Sequence, residues 1–293
     1  MITVQDLAVV EPGLVNVSGA ATDERLVELW ISIKAKSDAT KRAYRGNAAA
    51  FTAHMGGKPL GTITLTDLNE WAEALTGKPR TVSQRIMTIK SLLTFAHKTG
   101  YIPFNVGAAL SGPKIDQDIT ARILTEAETI RLLDAPQNAR DRALVRLLYS
   151  SGCRIAEAMA LSWRDVQSSP HGPLVSILGK GAKRRYVPIS QGTADELLAL
   201  RGGAADDAPV FSTVEGRMTT RTGTRIVKKA AKDARIKKEV SAHWLRHCCA
   251  SHSLDRGAPL TLVQASLGHS SVTTTGRYLH ARPGDGAARY LAV

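Results

Sequence analysis

Residues 175–189 read Val175-Ser176-Ile177-Leu178-Gly179-Lys180-Gly181-Ala182-Lys183-Arg184-Arg185-Tyr186-Val187-Pro188-Ile189. Two short apolar runs flank a polar stretch with two glycines, which predicts a β-hairpin with a basic tip. Around it the pattern is helical. Apolar spacing predicts helices at about 125–134, 138–151, 193–201, 219–234, 243–255, 260–266 and 271–279. A hairpin set among helices makes this part of the chain mixed α/β.

Upstream, Ser111-Gly112-Pro113-Lys114-Ile115-Asp116-Gln117-Asp118 has breakers and no periodicity, and reads as a linker. Thr125-Glu126-Ala127-Glu128 follows, a capping-box pattern that opens a new helix. Before the linker the pattern is helical throughout. Tyr44, Ala48, Phe51 and Met55 recur at helical spacing from Thr40, and Gly56-Gly57 ends that segment. Thr66-Asp67 starts a second helix with Leu68, Trp71 and Leu75, broken at Gly77-Lys78-Pro79. A third runs from about Thr81 to His97, with Ile86, Ile89, Leu92, Leu93 and Ala96 on one face. The expected layout is an N-terminal extension (1–20), a helical domain (21–112), a linker (113–123), a mixed domain (124–280) and a C-terminal tail (281–293).

Of 293 residues, 43% are hydrophobic and 22% charged, the balance of a folded chain with a core. No apolar run approaches the roughly 18–20 residues of a membrane span, so no membrane association is expected. No basic segment of the kind that opens a signal peptide leads the chain. Cys153, Cys248 and Cys249 make no disulfide framework and have no CxxC spacing, which places the protein in a reducing cytoplasm by default. The three are expected as small buried residues. The formal net charge is +13, which favours a polyanionic partner. Residues 1–112 hold 12 basic and 9 acidic side chains and residues 113–293 hold 27 and 17, so the excess lies in the second part.

Several chemistries are missing from the sequence. There is no P-loop, dinucleotide fingerprint or GxSxG, and no acid cluster of the kind that holds two metals. What stands in the second part is a set of cations and donors: Arg154, Lys180, His243 and Arg246 (one face of a helix at i, i+3), His269 and Tyr278. These types suit metal-free phosphodiester transfer. Two guanidinium forks match a phosphate. Histidine donates or shuttles a proton, a phenol attacks phosphorus, and a lysine protonates the leaving alkoxide. Taken singly, each residue has an ordinary structural explanation. His247 and His252 read as structural, Trp163 and Trp244 as core.

Order and spacing add a resemblance. Tyr149 to Glu157, then Leu161, Trp163 and Asp165, the Gly179 to Pro188 stretch, His243-Trp244-Leu245-Arg246-His247 with Ala250, Leu267 to Thr275, and Tyr278 with His280 together resemble the tyrosine recombinase, or phage integrase, family over roughly 124–280. The resemblance implies a mainly α fold with a small β-hairpin or sheet. It would pair a SAM-like, helical core-binding domain with a mixed α/β catalytic domain of the DNA breaking-rejoining type. It implies that Arg154 and Arg246 hold the scissile phosphate, that Lys180 protonates the 5′-oxygen, that His243 and His269 assist, and that Tyr278 forms a 3′-phosphotyrosyl link. Glu157 fits the acid that supports the first arginine.

No cofactor, metal or ATP is expected. The implied partner is double-stranded DNA with an inverted-repeat core site, bound by a homotetramer on two sites that passes through a Holliday junction. The protein is expected as a monomer in solution, cytoplasmic and nucleoid-associated, with an accessory or directionality factor as a further partner. The short N-terminal extension resembles the simple two-domain layout, without an arm-binding domain. The two domains would close on DNA as a C-shaped clamp, with Arg42, Arg45, Arg85 and Lys90 contacting it from the first. The Arg221–Lys238 segment, with eight Lys and Arg, is either DNA-facing or solvated. Gly276 either frees the tyrosine segment to move or marks a helix end. The C-terminal tail docks on a neighbouring protomer, is disordered, or serves as a protease signal. Two rival functions stand beside recombination: a tyrosine-type topoisomerase, and a DNA-binding protein without catalysis.

Overall fold

The structure is a computed structural model that describes residues 15–113, 119–179 and 183–279. Its chain divides into two compact units, residues 1–117 and 118–293. Lys180 and the 281–293 tail lie outside the described residues, as do residues 1–14 and 114–118. Among the described residues no helix is long and apolar enough to cross a membrane.

The first unit contains four α-helices among its described residues: α1 (Asp23–Lys34), α2 (Asp38–His54), α3 (Leu65–Ala74) and α4 (Pro79–Lys98). Three match the periodicity, and α1 is an addition. Its start is signalled by Thr22, whose hydroxyl accepts from the Arg25 N–H, and by Asp23 and Glu24 in its first turn. The helix α4 begins two residues before its expected start, because Pro79 occupies the first helical position, where its missing N–H costs nothing. The core is aromatic. Trp30 stacks on Tyr44 at 4.7 Å, and Phe51 meets Trp71 edge-on at 4.9 Å. Leu26, Leu68, Ile89 and Leu93 fill the space between and are fully buried. Each such leucine or isoleucine contributes roughly 1.5–3 kcal/mol of transfer free energy.

The second unit opens with α5 (Glu126–Asp134), whose Thr125–Glu128 capping box is formed as expected. It continues with α6 (Ala139–Ser151), α7 (Ile155–Ala160), β1 (Val166–Ser169), β2 (Gly172–Leu178), β3 (Arg184–Pro188) and α8 (Gln191–Arg201). A two-residue pair follows, β4 (Ser212–Thr213) and β5 (Gly216–Arg217), then α9 (Thr220–Asp233), α10 (Ala242–Asp255), α11 (Leu260–Leu267) and α12 (Val272–Gly276). The hairpin is the outer part of a three-stranded antiparallel sheet in the order β1-β2-β3. Val175 stands opposite Val166 on one side and Val187 on the other. Val175 and Ile177 are buried in one continuous core that also holds Leu144, Leu148, Leu197, Phe211, Val227 and Leu245. The strand β1 and the short helix α7 were not anticipated, since four and six residues are too few to show a period. The last helix is shorter than expected: it ends at Gly276, and Tyr278 lies in the turn beyond it.

Candidate active site

Arg246, on α10, is 1% exposed. A guanidinium can be buried only where acceptors meet its N–H groups. One Nη donates to the Gly152 carbonyl at 2.8 Å and the other to the Leu267 carbonyl at 2.7 Å. These carbonyls close the C-termini of α6 and α11, where unpaired oxygens and the helix dipole make the potential negative. Both helices end on a left-handed glycine, Gly152 at φ 59° and Gly268 at φ 67°. The approach at the first is close: a Cβ on Gly152 would stand 2.6 Å from Leu267 Cδ2. The Arg246 Nε has no hydrogen-bond partner among the described residues. Burial, followed by the charge of Arg154, pulls Arg246 down to about 10, so it stays cationic at neutral pH.

Arg154 caps the N-terminus of α7. Its Nη1 donates to Glu157 Oε1 at 3.0 Å and its backbone N–H to Glu157 Oε2 at 2.8 Å. The rest of its fork faces a groove of about 550 Å³ lined by Arg154, Gly179, Lys183, Arg184, Arg185 and His269. Burial pushes the Glu157 carboxyl up, but hydrogen bonds and charges from Arg185 and Arg154 outweigh it, and the net shift is down. At the other end of α7, Arg217 on β5 donates to the Met159 and Leu161 carbonyls at 2.9 and 2.8 Å. The short helix that carries Arg154 is thus pinned at both ends.

His269 follows the α11 C-cap, with Nδ1 2.8 Å from Thr275 Oγ1. Burial, then Arg246 and Arg154, lower it to about 4, so it is neutral at pH 7. A Thr275 hydroxyl donating to Nδ1 would leave the proton, and the donor role, on Nε2. The Tyr278 ring lies parallel to His269 with centroids 6.5 Å apart. Tyr278 is 4% exposed, and its hydroxyl is 2.7 Å from His247 Nδ1. Burial raises the phenol, and Arg246 and Arg277 oppose it. His247 itself is lowered to about 3 by burial and by His243 and nearby arginines, so it meets the phenol as a neutral ring. His243 is exposed at the start of α10, edge-on to His247 at 4.5 Å.

The fold therefore brings Arg154, Arg246, His269 and Tyr278 to one place, with His243 beside them through His247. Lys180 lies outside the described residues, and next to it the Gly179 N–H donates to the Lys183 carbonyl at 2.8 Å. Two cations and two neutral polar groups around one point are a set that can hold an anion such as a phosphate.

Two residues were not assigned to the site from the sequence. His247 reads as structural but touches the tyrosine hydroxyl; the signal was its i, i+4 spacing from His243, which puts both on one helix face. Arg185 bonds Glu157 through both Nη atoms at 3.2 and 2.7 Å. Strand alternation places it on the same face as the buried Val187, and a cation on that face requires an acid. His252 is structural, as read: it joins the Tyr149 hydroxyl to the Leu124 carbonyl. Cys153 and Cys248 are buried, and Cys249 is half-buried.

The basic residues singled out in the first unit differ in their surroundings. Arg42 is exposed on α2. Arg45 is exposed but bound through two nitrogens to Glu28 at 2.9 and 2.8 Å. Arg85 is half-buried beside Asn47 and His54. Lys90 donates to the carbonyls of Ala108 and Leu110. In the second unit, α9 buries Gly223, Ile226, Val227 and Ala230 and exposes Arg221, Arg225, Lys228 and Lys232, which fall in one row.

The model of the phage integrase family matches residues 114–284. A tyrosine recombinase XerC of Corynebacterium efficiens is 35% identical over 88% of this chain and 86% of its own length. The chain belongs to the phage integrase family of tyrosine recombinases. A XerC of Mycobacterium leprae is 31% identical, covering 84% of the recombinase described here and 89% of that relative. Among solved structures, XerA recombinase is 28% identical with a TM-score of 0.51, over 91% of this chain and 95% of that one. A lambda integrase tetramer bound to a Holliday junction shares the fold at 20% identity and a TM-score of 0.73, over 92% and 81% of the two chains. The protein is a site-specific recombinase, and of the three functions considered this is the one its relatives bear out.

Proposed function

We propose that the recombinase cuts duplex DNA with Tyr278 as nucleophile and Arg154 and Arg246 as the clamp on the scissile phosphate. The Tyr278 oxygen forms a bond to phosphorus as the P–O5′ bond breaks. The phenol passes its proton to the neutral His247 ring, whose Nδ1 lies 2.7 Å from it, and Lys180 supplies one to the leaving 5′-oxygen. His269 donates to the phosphate, and His243 assists it. The product is a 3′-phosphotyrosyl link and a free 5′-hydroxyl, and attack by a 5′-hydroxyl reverses the step. No metal or ATP enters this sequence.

The observation that carries the reading is Arg246: a fully buried guanidinium, fixed by two helix ends, with its Nε–H unpartnered and Arg154 and Tyr278 beside it. Solved relatives include a lambda integrase dimer bound to a core site and a tetramer bound to a Holliday junction. We extend that assembly to this chain: four protomers on two inverted-repeat sites, monomeric before binding, in the cytoplasm with the nucleoid. Arg42 and Arg85 in the first unit and the Arg221–Lys232 row of α9 supply phosphate contacts.

The test is covalent trapping. Cells carrying the source DNA express the wild type or Tyr278→Phe, adducts are trapped by denaturation, and the attached 3′ ends are sequenced. Adducts at a few inverted-repeat sites, absent from Tyr278→Phe while DNA binding persists, are expected. Loss of both adduct and binding in Tyr278→Phe would undermine the assigned role, and adducts scattered over the genome would overturn site specificity.

A further inference from the structure

Glu157 receives four hydrogen bonds. Two come from Arg154, through Nη1 and the backbone N–H, and two from Arg185, through Nη1 and Nη2. The Arg185 Nε donates to the Ser266 carbonyl at 2.9 Å, in the last turn of α11. Its whole fork is therefore engaged, and it is nearly as buried as its partner, 13% against 8% exposed. The guanidinium also lies flat on Gly268: a Cβ there would come within 3.1–3.3 Å of Arg185 Cδ, Nε and Cζ. One side chain on β3 thus touches the acid that holds Arg154 and the helix end from which Leu267 holds Arg246 and His269 departs.

The geometry has a further effect. A carboxylate facing one arginine takes its fork through two parallel bonds. Glu157 is not free to do this with Arg154, because Arg185 occupies both oxygens. Arg154 gives it a single Nη, and the remainder of its fork is directed elsewhere.

We propose that Arg185 is a positioning residue for DNA cleavage: by occupying both oxygens of Glu157 it keeps Arg154 from folding onto the carboxylate, and by gripping α11 it sets the height of His269. This rests on the recombinase mechanism proposed above. Without Arg185, Glu157 draws the whole Arg154 fork to itself and competes with the phosphate. The acid that supports the clamp then becomes its inhibitor, so removing its charge restores activity.

The experiment uses the full chain and a nicked duplex carrying the sequence recovered from wild-type adducts. Single-turnover adduct formation and equilibrium binding are measured for wild type, Arg185→Gln, Glu157→Gln and the double variant. Arg185→Gln should form adduct 30- to 100-fold more slowly, with Kd within threefold of wild type. The double variant should be faster than Arg185→Gln and no slower than Glu157→Gln. A merely structural residue predicts the opposite, two losses that multiply. Multiplying losses, or an Arg185→Gln rate within threefold of wild type, overturns the proposal. Should Arg185→Gln fail to fold, Arg185→Lys decides: the lysine keeps the charge but reaches only one oxygen, so a 3- to 10-fold loss supports the proposal and a wild-type rate overturns it. Absence of adduct from the wild type would instead count against the recombinase mechanism itself.

Discussion

His247→Phe removes the partner of the Tyr278 hydroxyl while keeping a ring of similar volume against His243. In the wild type the two buried groups share a 2.7 Å hydrogen bond, which phenylalanine cannot make. A buried hydroxyl left unpaired costs about 1–3 kcal/mol, which shifts the balance between docked and undocked tyrosine by roughly 5- to 150-fold. His247 is neutral at the pH of the experiment, so no charge is removed with it. Nitration by tetranitromethane at pH 8, read residue by residue by mass spectrometry, measures the change. Tyr186, 61% exposed, serves as the internal standard for an open phenol. The Tyr278 to Tyr186 ratio should rise at least fivefold in His247→Phe and stay near wild type in His247→Asn, whose amide oxygen stands close to the place of Nδ1. A ratio within twofold of wild type in the Phe variant, with the melting temperature unchanged, would show that His247 does not hold the tyrosine.

Other consequences follow from the same contacts. His269 and His247 are held near 4 and 3, below the 6.5 of an unfolded histidine, so the unfolded chain binds more protons between these values and stability is lost as pH drops through that window. At pH 5 each should remove on the order of 1–2 kcal/mol, allowing for partial exposure of His269, and denaturant melts at pH 5 and 7.5 measure it. Glu157, held low, adds its loss only as pH drops through its depressed value. Gly152→Ala places a side chain at φ 59° against Leu267; strain of about 1–2 kcal/mol and repacking of about 1–3 kcal/mol should lower the melting temperature by roughly 5–15 °C. Lys90→Gln should lower the stability of the first unit by about 1 kcal/mol and leave DNA affinity unchanged, because Lys90 serves backbone carbonyls. Arg42→Gln should leave stability unchanged and reduce the salt slope of DNA binding by about one.

Elements longer than eight residues, α1 apart, were legible because an apolar stripe repeats enough times to declare a period. The capping box at Thr125–Glu128 and the hairpin strands were visible for the same kind of reason, a local pattern with a local cause. The helix α7 and strand β1 were not, since contacts from Arg217 and β2 decide them and no periodicity does. Arg154, Arg246, His269 and Tyr278 could be named from motif order, but their arrangement could not. The sequence shows that Arg246 follows His243 by three residues, not that two helix ends 94 and 21 residues away converge on it. Arg185 was hidden by its company: in Lys183-Arg184-Arg185 the one arginine that turns inward looks like its neighbours. The basic residues of the first unit show the same limit, because a carboxylate seventeen residues distant neutralises Arg45 and leaves Arg42 open.

The seat of Arg246 has a bearing on safety. An enzyme that breaks DNA is hazardous when half-folded, since a stray nucleophile near a phosphate nicks DNA and never reseals it. Here the proposed clamp has no existence apart from the tertiary structure. Its innermost arginine is held only where the ends of α6 and α11 meet, and these meet only once the helices have packed through Gly152 and Leu267. The proposed cutting centre is absent from a chain still emerging from the ribosome, and one that melts loses it together with its shape. Folding acts as the interlock.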